Sequence, residues 1–153
     1  MTPKVDEWKQ VGRLYVWRYP RWRDKHAQWH FTGDASGCSS LIDLLDHMRS
    51  GGIASYRTLK LGKVTESIWC VPNYGRPINE PFERLRFKFE PEREDLEIVV
   101  TDDLLTLHFG AKQFASLRAA FVDVSVGLGD FGIATSDDRR ANSWMFWWML
   151  DRN

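Results

Sequence analysis

The chain has 153 residues, with 21 Lys+Arg against 21 Asp+Glu, so its formal net charge is zero. A hydrophobic fraction of 43% and a charged fraction of 27% are typical of a folded globular protein and exclude a wholly disordered chain. The length fits a single domain over residues 1–153. The balanced charge provides no overall field that would favour DNA or an anionic membrane.

The apolar segments of the chain are short. The longest run, residues 144–150, falls far below the roughly 20 residues that a membrane-spanning helix needs. The first residues contain no apolar segment of the kind found in secretory signals. We therefore expect a cytoplasmic protein that makes no contact with a membrane.

Hydrophobic periodicity predicts the elements of the first half of the chain. The strands predicted there cover 11–19, 28–32, 56–61 and 66–71. The first two are placed to form a hairpin. The clearest helix covers 38–50, because four apolar residues at helical spacing share one stripe. These residues are Leu41, Leu44, Leu45 and Met48. A turn-rich loop follows over 72–81.

The second half of the chain begins with three strands and a helix. The predicted strands cover 82–90, 96–100, 104–109, 131–134 and 144–150. The first of them alternates apolar and basic residues, and the next two flank a short polar link that fits a hairpin turn. Together these three predict a meander. An amphipathic helix is expected over 111–125. The last strand is apolar on both faces, so it is either a central strand or an interface strand.

The order of elements predicts an α+β fold. Because most connections between strands are too short for parallel crossovers, we expect a mainly antiparallel sheet. The sheet would hold about eight or nine strands, with the meander in the middle and two amphipathic helices packed on it. The passages His30-Phe31…Ser40-Leu41 and His108-Phe109…Ser116-Leu117 resemble each other. Since their internal spacings differ by two residues, we interpret this likeness as coincidence.

The best candidate for a nucleophile is Cys38, which lies near the predicted start of the first helix. The dipole and the unpaired N–H groups of a helix N-terminus lower the pKa of a thiol. His30, on the preceding strand, is the nearest base in the sequence. This pair would suit a small cysteine-dependent hydrolase or transferase. The alternative is a polar helix cap beside a small buried cysteine.

No other cluster points to a specific reaction, cofactor or metal. Cys38 and Cys70 lack the C-x-x-C spacing of zinc or redox sites and are predicted to be a reduced pair in the core. Asp43, Asp46 and His47 share one side of the first predicted helix, but the simpler interpretation is a solvated face. We expect no cofactor and no metal, and the absence of a catalytic motif favours a protein that is not an enzyme.

A strip over 13–29 is locally basic and aromatic. Its most prominent members are Trp17, Arg18, Trp22 and Arg23. This mixture is used by proteins that bind single-stranded nucleic acid, where bases stack on rings and phosphates pair with arginine. Nucleic acid or another anionic ligand is therefore one candidate partner. The alternative is an ion-pair network with the acidic run inside 80–103.

The chain contains eight tryptophans, more than a core of this size needs, because tryptophan is large and seldom wholly buried. Tryptophan, tyrosine and arginine dominate the energetics of protein–protein interfaces. We expect Trp17, Trp22 and Trp147 to reach such an interface. The leading hypothesis is a small non-enzymatic protein that binds another protein, in the manner of an inhibitor or immunity protein, or that forms a homo-oligomer. The competing interpretation is an unusually aromatic core.

Overall fold

The computed structural model describes residues 5–19, 29–72, 76–77, 82–128, 131–134, 143–147 and 149. Its strands are β1 (Leu14–Trp17), β2 (His30–Gly33), β3 (Ser55–Lys60), β4 (Arg84–Phe89), β5 (Glu97–Thr101), β6 (Leu104–Phe109), β7 (Phe131–Ala134) and β8 (Ser143–Phe146). Its α-helices are α1 (Ala35–Gly51), α2 (Glu66–Trp69) and α3 (Phe114–Ser125), with 3-10 turns at Val5–Glu7 and Ala111–Gln113. The fold is α+β, which confirms the predicted class.

The strands form two four-stranded sheets, with the orders β1-β2-β8-β7 and β3-β4-β6-β5. In each sheet the two outer pairings are antiparallel and the central pairing is parallel. Antiparallel pairings predominate as predicted, but the strands form two mixed sheets and not the single sheet that was expected. The segment predicted over 144–150 supplies β8, which lies inside its sheet, so the central-strand alternative holds for the described residues.

The two halves of the chain have the same topology. Each half consists of a hairpin, a long helix and a second hairpin, and each sheet combines one hairpin from each half. The central parallel pairings correspond residue by residue, since Phe31 lies beside Phe146 in one sheet and Phe109 lies beside Phe89 in the other. His30 and His108 precede these phenylalanines. His30-Phe31 and His108-Phe109 thus occupy equivalent strand positions, whereas Ser40-Leu41 and Ser116-Leu117 lie at different distances from the starts of their helices.

One buried cluster joins both sheets to both long helices. The predicted stripe of α1, from Leu41 to Met48, is buried in it, as are Leu117 and Phe121 of α3. The helices pack against each other, and Arg118 on α3 donates hydrogen bonds of 3.0 and 3.3 Å to the carboxylate of Asp46 on α1. The two helices therefore cover the apolar inner faces of the two sheets.

The predicted meander is wrong because β6 lies between β4 and β5. Alternate residues of β4 and β6 are fully buried, whereas β5 has no buried residue. The hairpin of β5 and β6 forms as predicted. The more apolar member of that hairpin takes the interior position beside β4, and β5 becomes the edge strand.

The strand predicted over 66–71 is a single helical turn instead, α2. Val64, Ile68 and Val71 recur at helical intervals and pack against the same cluster of aromatic residues. The amide of Cys70 donates to the carbonyl of Glu66 at 2.9 Å, which closes the turn. Ile68 is buried, and Val64 and Val71 are half-buried. In a strand Val71 would point to the face opposite Val64 and Ile68, so contact of all three with one cluster favours the helical turn.

Candidate functional site

Cys38 lies in the core and is fully buried. Its thiol contacts the carbonyl oxygen of Gly33 at 3.8 Å. Burial raises the pKa of Cys38 to about 12, and the negative charge of Asp34 adds to the increase. The expected lowering of the thiol pKa is therefore wrong, because removal from water outweighs the field of the helix N-terminus. The structure supports the alternative of a small buried cysteine at the start of α1. The prediction that Cys70 also lies in the core is wrong, because Cys70 is exposed after the short helix α2.

His30 does not face Cys38. Neighbouring residues of a strand point to opposite faces, and in β2 the ring of Phe31 enters the core that contains Cys38, while His30 lies on the other face. There His30 is fully buried. Its ring stacks between Trp17 at 5.7 Å and Trp147 at 6.0 Å, with Tyr19 edge-on at 5.0 Å. The two sequence candidates for catalysis are thus separated by the sheet.

The aromatic residues expected at an interface are mostly internal. Trp17 and Trp147 are both buried, so two of the three tryptophans proposed for a surface support the competing interpretation of an aromatic core. Arg18 is half-buried and lies 4.7 Å above the ring of Trp29. Trp22 and Arg23 lie outside the described residues. Within the strip over 13–29, the described aromatic residues therefore form no open stacking platform.

Some carboxylates of the acidic run near residue 90 pair with neighbouring cations. Arg93 pairs with Glu90 and Glu97, and Lys112 lies 3.9 Å from Glu94. His108 shares a hydrogen bond with Glu90, and this bond is the main cause of a lowered pKa of Glu90. The predicted network between the acidic run and the basic strip is not found among the described residues.

Four cations lie together on the outer face of β3 and β4, which we call the basic face. They are Lys60, Arg84, Arg86 and Lys88. Lys60 lies directly opposite Arg84 in the antiparallel register, and Arg86 and Lys88 follow on the same face of β4. The alternate residues of these strands, such as Leu85 and Phe87, are buried in the core. The basic face therefore lies on strands whose inner side chains are anchored in the core.

The charges of the basic face are only partly compensated. Arg84 donates a 2.9 Å hydrogen bond to Asp103, which raises the pKa of Arg84 and lowers that of Asp103. Within the described part of the chain, Lys60 and Lys88 form no ion pair. Arg86 contacts the hydroxyl of Thr58 at 3.1 Å instead of a carboxylate. Three of the four cations therefore remain available to an anionic group.

An aromatic ring stands within this face. Tyr56 is 58% exposed, and the guanidinium of Arg86 lies 4.9 Å from the centre of its ring. At the other end, Lys60 and Arg84 also line a cleft of about 960 Å³ between the two sheets. Lys63 and Arg76 extend the positive charge into this cleft, while Glu66 and Glu83 lie at its wall. The basic face thus continues into a concave surface.

Part of the basic face was predictable from the sequence. The alternation of Arg84, Arg86 and Lys88 with apolar residues predicts a charged outer face for β4, as observed. What sequence alone lacked was the register that sets Lys60 against Arg84. The described residues contain no group of three or more His, Cys, Asp or Glu side chains suited to a metal ion. In the same part of the chain, no helix has the length and apolarity to cross a membrane.

Comparison with known proteins finds no match: no family model, no curated protein and no solved structure is similar to this chain. Function is therefore inferred from the geometry and charge of the surface.

Proposed function

We propose that this chain is a non-enzymatic binding protein, and that the basic face receives an acidic surface of another protein. The observation that carries this proposal is the pairing of Lys60 with Arg84 across β3 and β4. Like charges directly opposite each other destabilise a sheet. Asp103 already offsets the charge of Arg84, whereas Lys60 has no ion pair among the described residues. Carboxylates of a partner would offset the remaining positive charge on binding.

The composition of the face favours a protein partner. Tyr56 and Arg86 are residue types enriched at the energetic centre of protein–protein interfaces. Arg86 lies in the middle of the charged row, and Tyr56 lies opposite Lys88 at one end of it. Glu90 and Glu97 border the same sheet toward its far edge. Because the chain has no net charge, a long polyanion would meet these carboxylates beyond the basic face. A compact acidic patch would contact the basic face without reaching these carboxylates.

An inhibitor or immunity protein acts in this manner, by covering a functional surface of its target. The expectation of an inhibitor-like or immunity-like role therefore remains part of the proposal. A homo-oligomer is the alternative form of protein binding, in which the exposed acidic residues of a second copy, such as Glu92 and Asp95, would meet the basic face. Affinity capture and sedimentation distinguish these two partners.

The test is affinity capture from a lysate of the native host after nuclease treatment, followed by reconstitution with the purified partner. A basic-face variant carries Lys60→Gln, Arg86→Gln and Lys88→Gln. A control variant removes three exposed cations elsewhere through Lys9→Gln, Arg49→Gln and Lys112→Gln. Both variants change the net charge equally, so a difference between them reports the location of binding and not total charge. Thermal unfolding checks that both remain folded.

We expect the reconstituted partner to bind the basic-face variant at least about tenfold more weakly than the control variant, with an affinity that falls as salt is added. Equal binding by both variants would refute the assignment of this surface. If the captured protein is the chain itself, sedimentation of the purified protein at several concentrations will reveal the homo-oligomer. If no nuclease-resistant protein is captured at stoichiometric amounts, the proposal of a protein partner fails.

Single-stranded nucleic acid is the second candidate, favoured by the exposed ring of Tyr56 between cations. Bases stack on such rings, and phosphates pair with the flanking Lys and Arg. An oligothymidylate and poly-L-glutamate serve as the two probes. Tighter binding of the oligothymidylate, lost on Tyr56→Ala and on raising the salt concentration, would favour nucleic acid. Preference for poly-L-glutamate would favour the acidic protein surface.

A further inference from the structure

A second concave site lies at the edge of sheet β3-β4-β6-β5 where β3 begins, and Tyr56 is the one residue named in the basic face that also lines it. It is a groove of about 700 Å³ between the C-terminal end of α1, the 3-10 turn Val5–Glu7 and the start of β3. We call it the α1–β3 groove. Its apolar wall includes Val5, Met48, Ile53 and Ala54. Ile53 is 72% exposed, the largest exposed fraction among the large hydrophobic residues described. A groove of this volume is within the range of small-molecule sites.

Unpartnered polar atoms collect at this groove. Nδ1 of His47, Oγ of Ser55 and Nε of Arg57 are each buried and have no hydrogen-bond partner. All three residues line the α1–β3 groove, and among the described residues only one other side-chain atom, Nε1 of Trp144, shares this condition. Buried polar groups are nearly always hydrogen-bonded, so a concentration of exceptions at one groove points to a missing partner.

The charge at the groove defines the chemistry of that partner. Arg57 is half-buried, its Nη2 donates a 2.7 Å hydrogen bond to the carbonyl of Trp8, and its guanidinium lies 5.9 Å from the ring of Trp8. Within the described chain it has no carboxylate partner, although Asp6 lines the same groove. A partly buried cation without a counter-ion favours an anion. A carboxylate accepts hydrogen bonds from Arg57 Nε and from the hydroxyl of Ser55.

We propose that the α1–β3 groove binds a small amphiphilic carboxylate. The carboxylate lies at the polar end beside Ser55 and Arg57, and the apolar body lies along Met48, Ile53 and Ala54. The unpartnered atoms are shielded while the groove is empty, so binding requires their side chains to turn toward it. His47, Ser55 and Arg57 are only half-buried, which leaves them room for this adjustment. The groove shares Tyr56 with the basic face, but none of the four cations of that face lines it.

The probe is decanoate, followed by amide chemical shifts and by calorimetry. Decanol has the same chain without the charge, and acetate has the charge without the chain. Arg57→Gln removes the cation, and Ala54→Trp fills the groove from an exposed position. The matched control is Arg86→Gln, which removes one cation from the opposite face of the same sheet.

We expect decanoate to shift the amides of residues 47–57 and to bind more tightly than decanol or acetate. Arg57→Gln should weaken binding by about tenfold or more, as expected for loss of one charge-assisted hydrogen bond. Ala54→Trp should abolish binding, and Arg86→Gln should leave it unchanged. The proposal is overturned if decanol binds as tightly as decanoate, if the shifts map elsewhere, or if no shifts occur. If Arg57→Gln does not fold, the proposal is tested by Ala54→Trp and by the comparison of decanoate with decanol and acetate.

Discussion

The indole Nε1 of Trp147 donates a 2.9 Å hydrogen bond to Nδ1 of His30. An indole N–H can only donate, so Nδ1 must accept, and the imidazole is neutral with its proton on Nε2. The main chain of Trp147 also donates to Phe31 at 2.9 Å. Both contacts join the end of the chain to β2. The His30 ring thus holds two tryptophans in one stack and anchors the end of β8.

Replacing His30 by phenylalanine should destabilise the fold. The substitution keeps an aromatic ring in the stack but removes the acceptor of the Trp147 N–H, which is buried away from water. We expect the free energy of unfolding to fall by about 1–3 kcal/mol, the range for a buried donor that loses its partner. Urea unfolding measures this loss.

The matched control is His108→Phe at the equivalent position of the other half. His108 is half-buried and pairs with Glu90, which is partly exposed. Pairs of this kind contribute at most about 1 kcal/mol. Equal losses in the two variants would contradict the special role of the Trp147 contact.

The buried face of a single helix or strand was predictable from the residues of that element alone. The stripe from Leu41 to Met48 is buried as predicted, and Leu85, Phe87 and Phe89 are buried on the inner face of β4. In both cases the period of the apolar residues matches the geometry of the element. Such information is local, so a single sequence contains it.

The arrangement of strands was not predictable in the same way. The pairing of β4 with β6 depends on the relative burial of three strands, and the pairing of β2 with β8 joins residues at opposite ends of the chain. The number of tryptophans likewise did not reveal which are internal, because Trp17 and Trp147 are buried in a cluster whose members come from distant parts of the chain. The complete basic face was not predictable either, because it depends on the register that places Lys60 opposite Arg84.

Low pH should weaken the contacts of Asp34 with Gly37 and Arg13. Its carboxylate accepts hydrogen bonds from the amides of Gly37 and Arg13 at 2.7 and 2.9 Å and from the guanidinium of Arg13 at 3.1 Å. Burial alone would raise the pKa of Asp34, but these hydrogen bonds outweigh it and the pKa is lowered. The stabilisation is therefore complete above the ordinary aspartate pKa of about 4 and is lost as the pH falls through the lower folded value.

Asp34→Asn tests this linkage. At neutral pH the variant should unfold at lower urea than the parent, and the difference should narrow as the pH falls from about 5 to about 2. Asp43→Asn, at an exposed position of the same helix, is the control and should follow the parent at every pH. A difference between Asp34→Asn and the parent that stays constant with pH would rule out a charge-dependent contribution.

The two glycines at the ends of α1 should respond in opposite directions to alanine. A Cβ on Gly37 would clash with the carbonyl oxygen of Arg13 and lie 2.9 Å from Oδ1 of Asp34, whereas a Cβ on Gly51 would meet no atom within 4 Å. We expect Gly37→Ala to lower the free energy of unfolding by about 1–3 kcal/mol. Gly51→Ala should raise it by up to about 1 kcal/mol through helix propensity. Thermal unfolding of both variants measures the contrast, and similar shifts would contradict the close approach at Gly37.

The two cysteines should differ sharply in their reaction with iodoacetamide. Cys70 is exposed, whereas Cys38 is buried and its pKa is raised to about 12 by burial and by the charge of Asp34. Only a thiolate attacks the reagent, so the native protein should take up one label, on Cys70. Cys38 should react only after unfolding in denaturant. Peptide mass spectrometry locates the label, and Cys70→Ser provides a variant in which native labelling should be absent. Rapid labelling of Cys38 in that variant near neutral pH would restore the hypothesis of a cysteine nucleophile, because it would require a pKa far below the one that the buried environment produces.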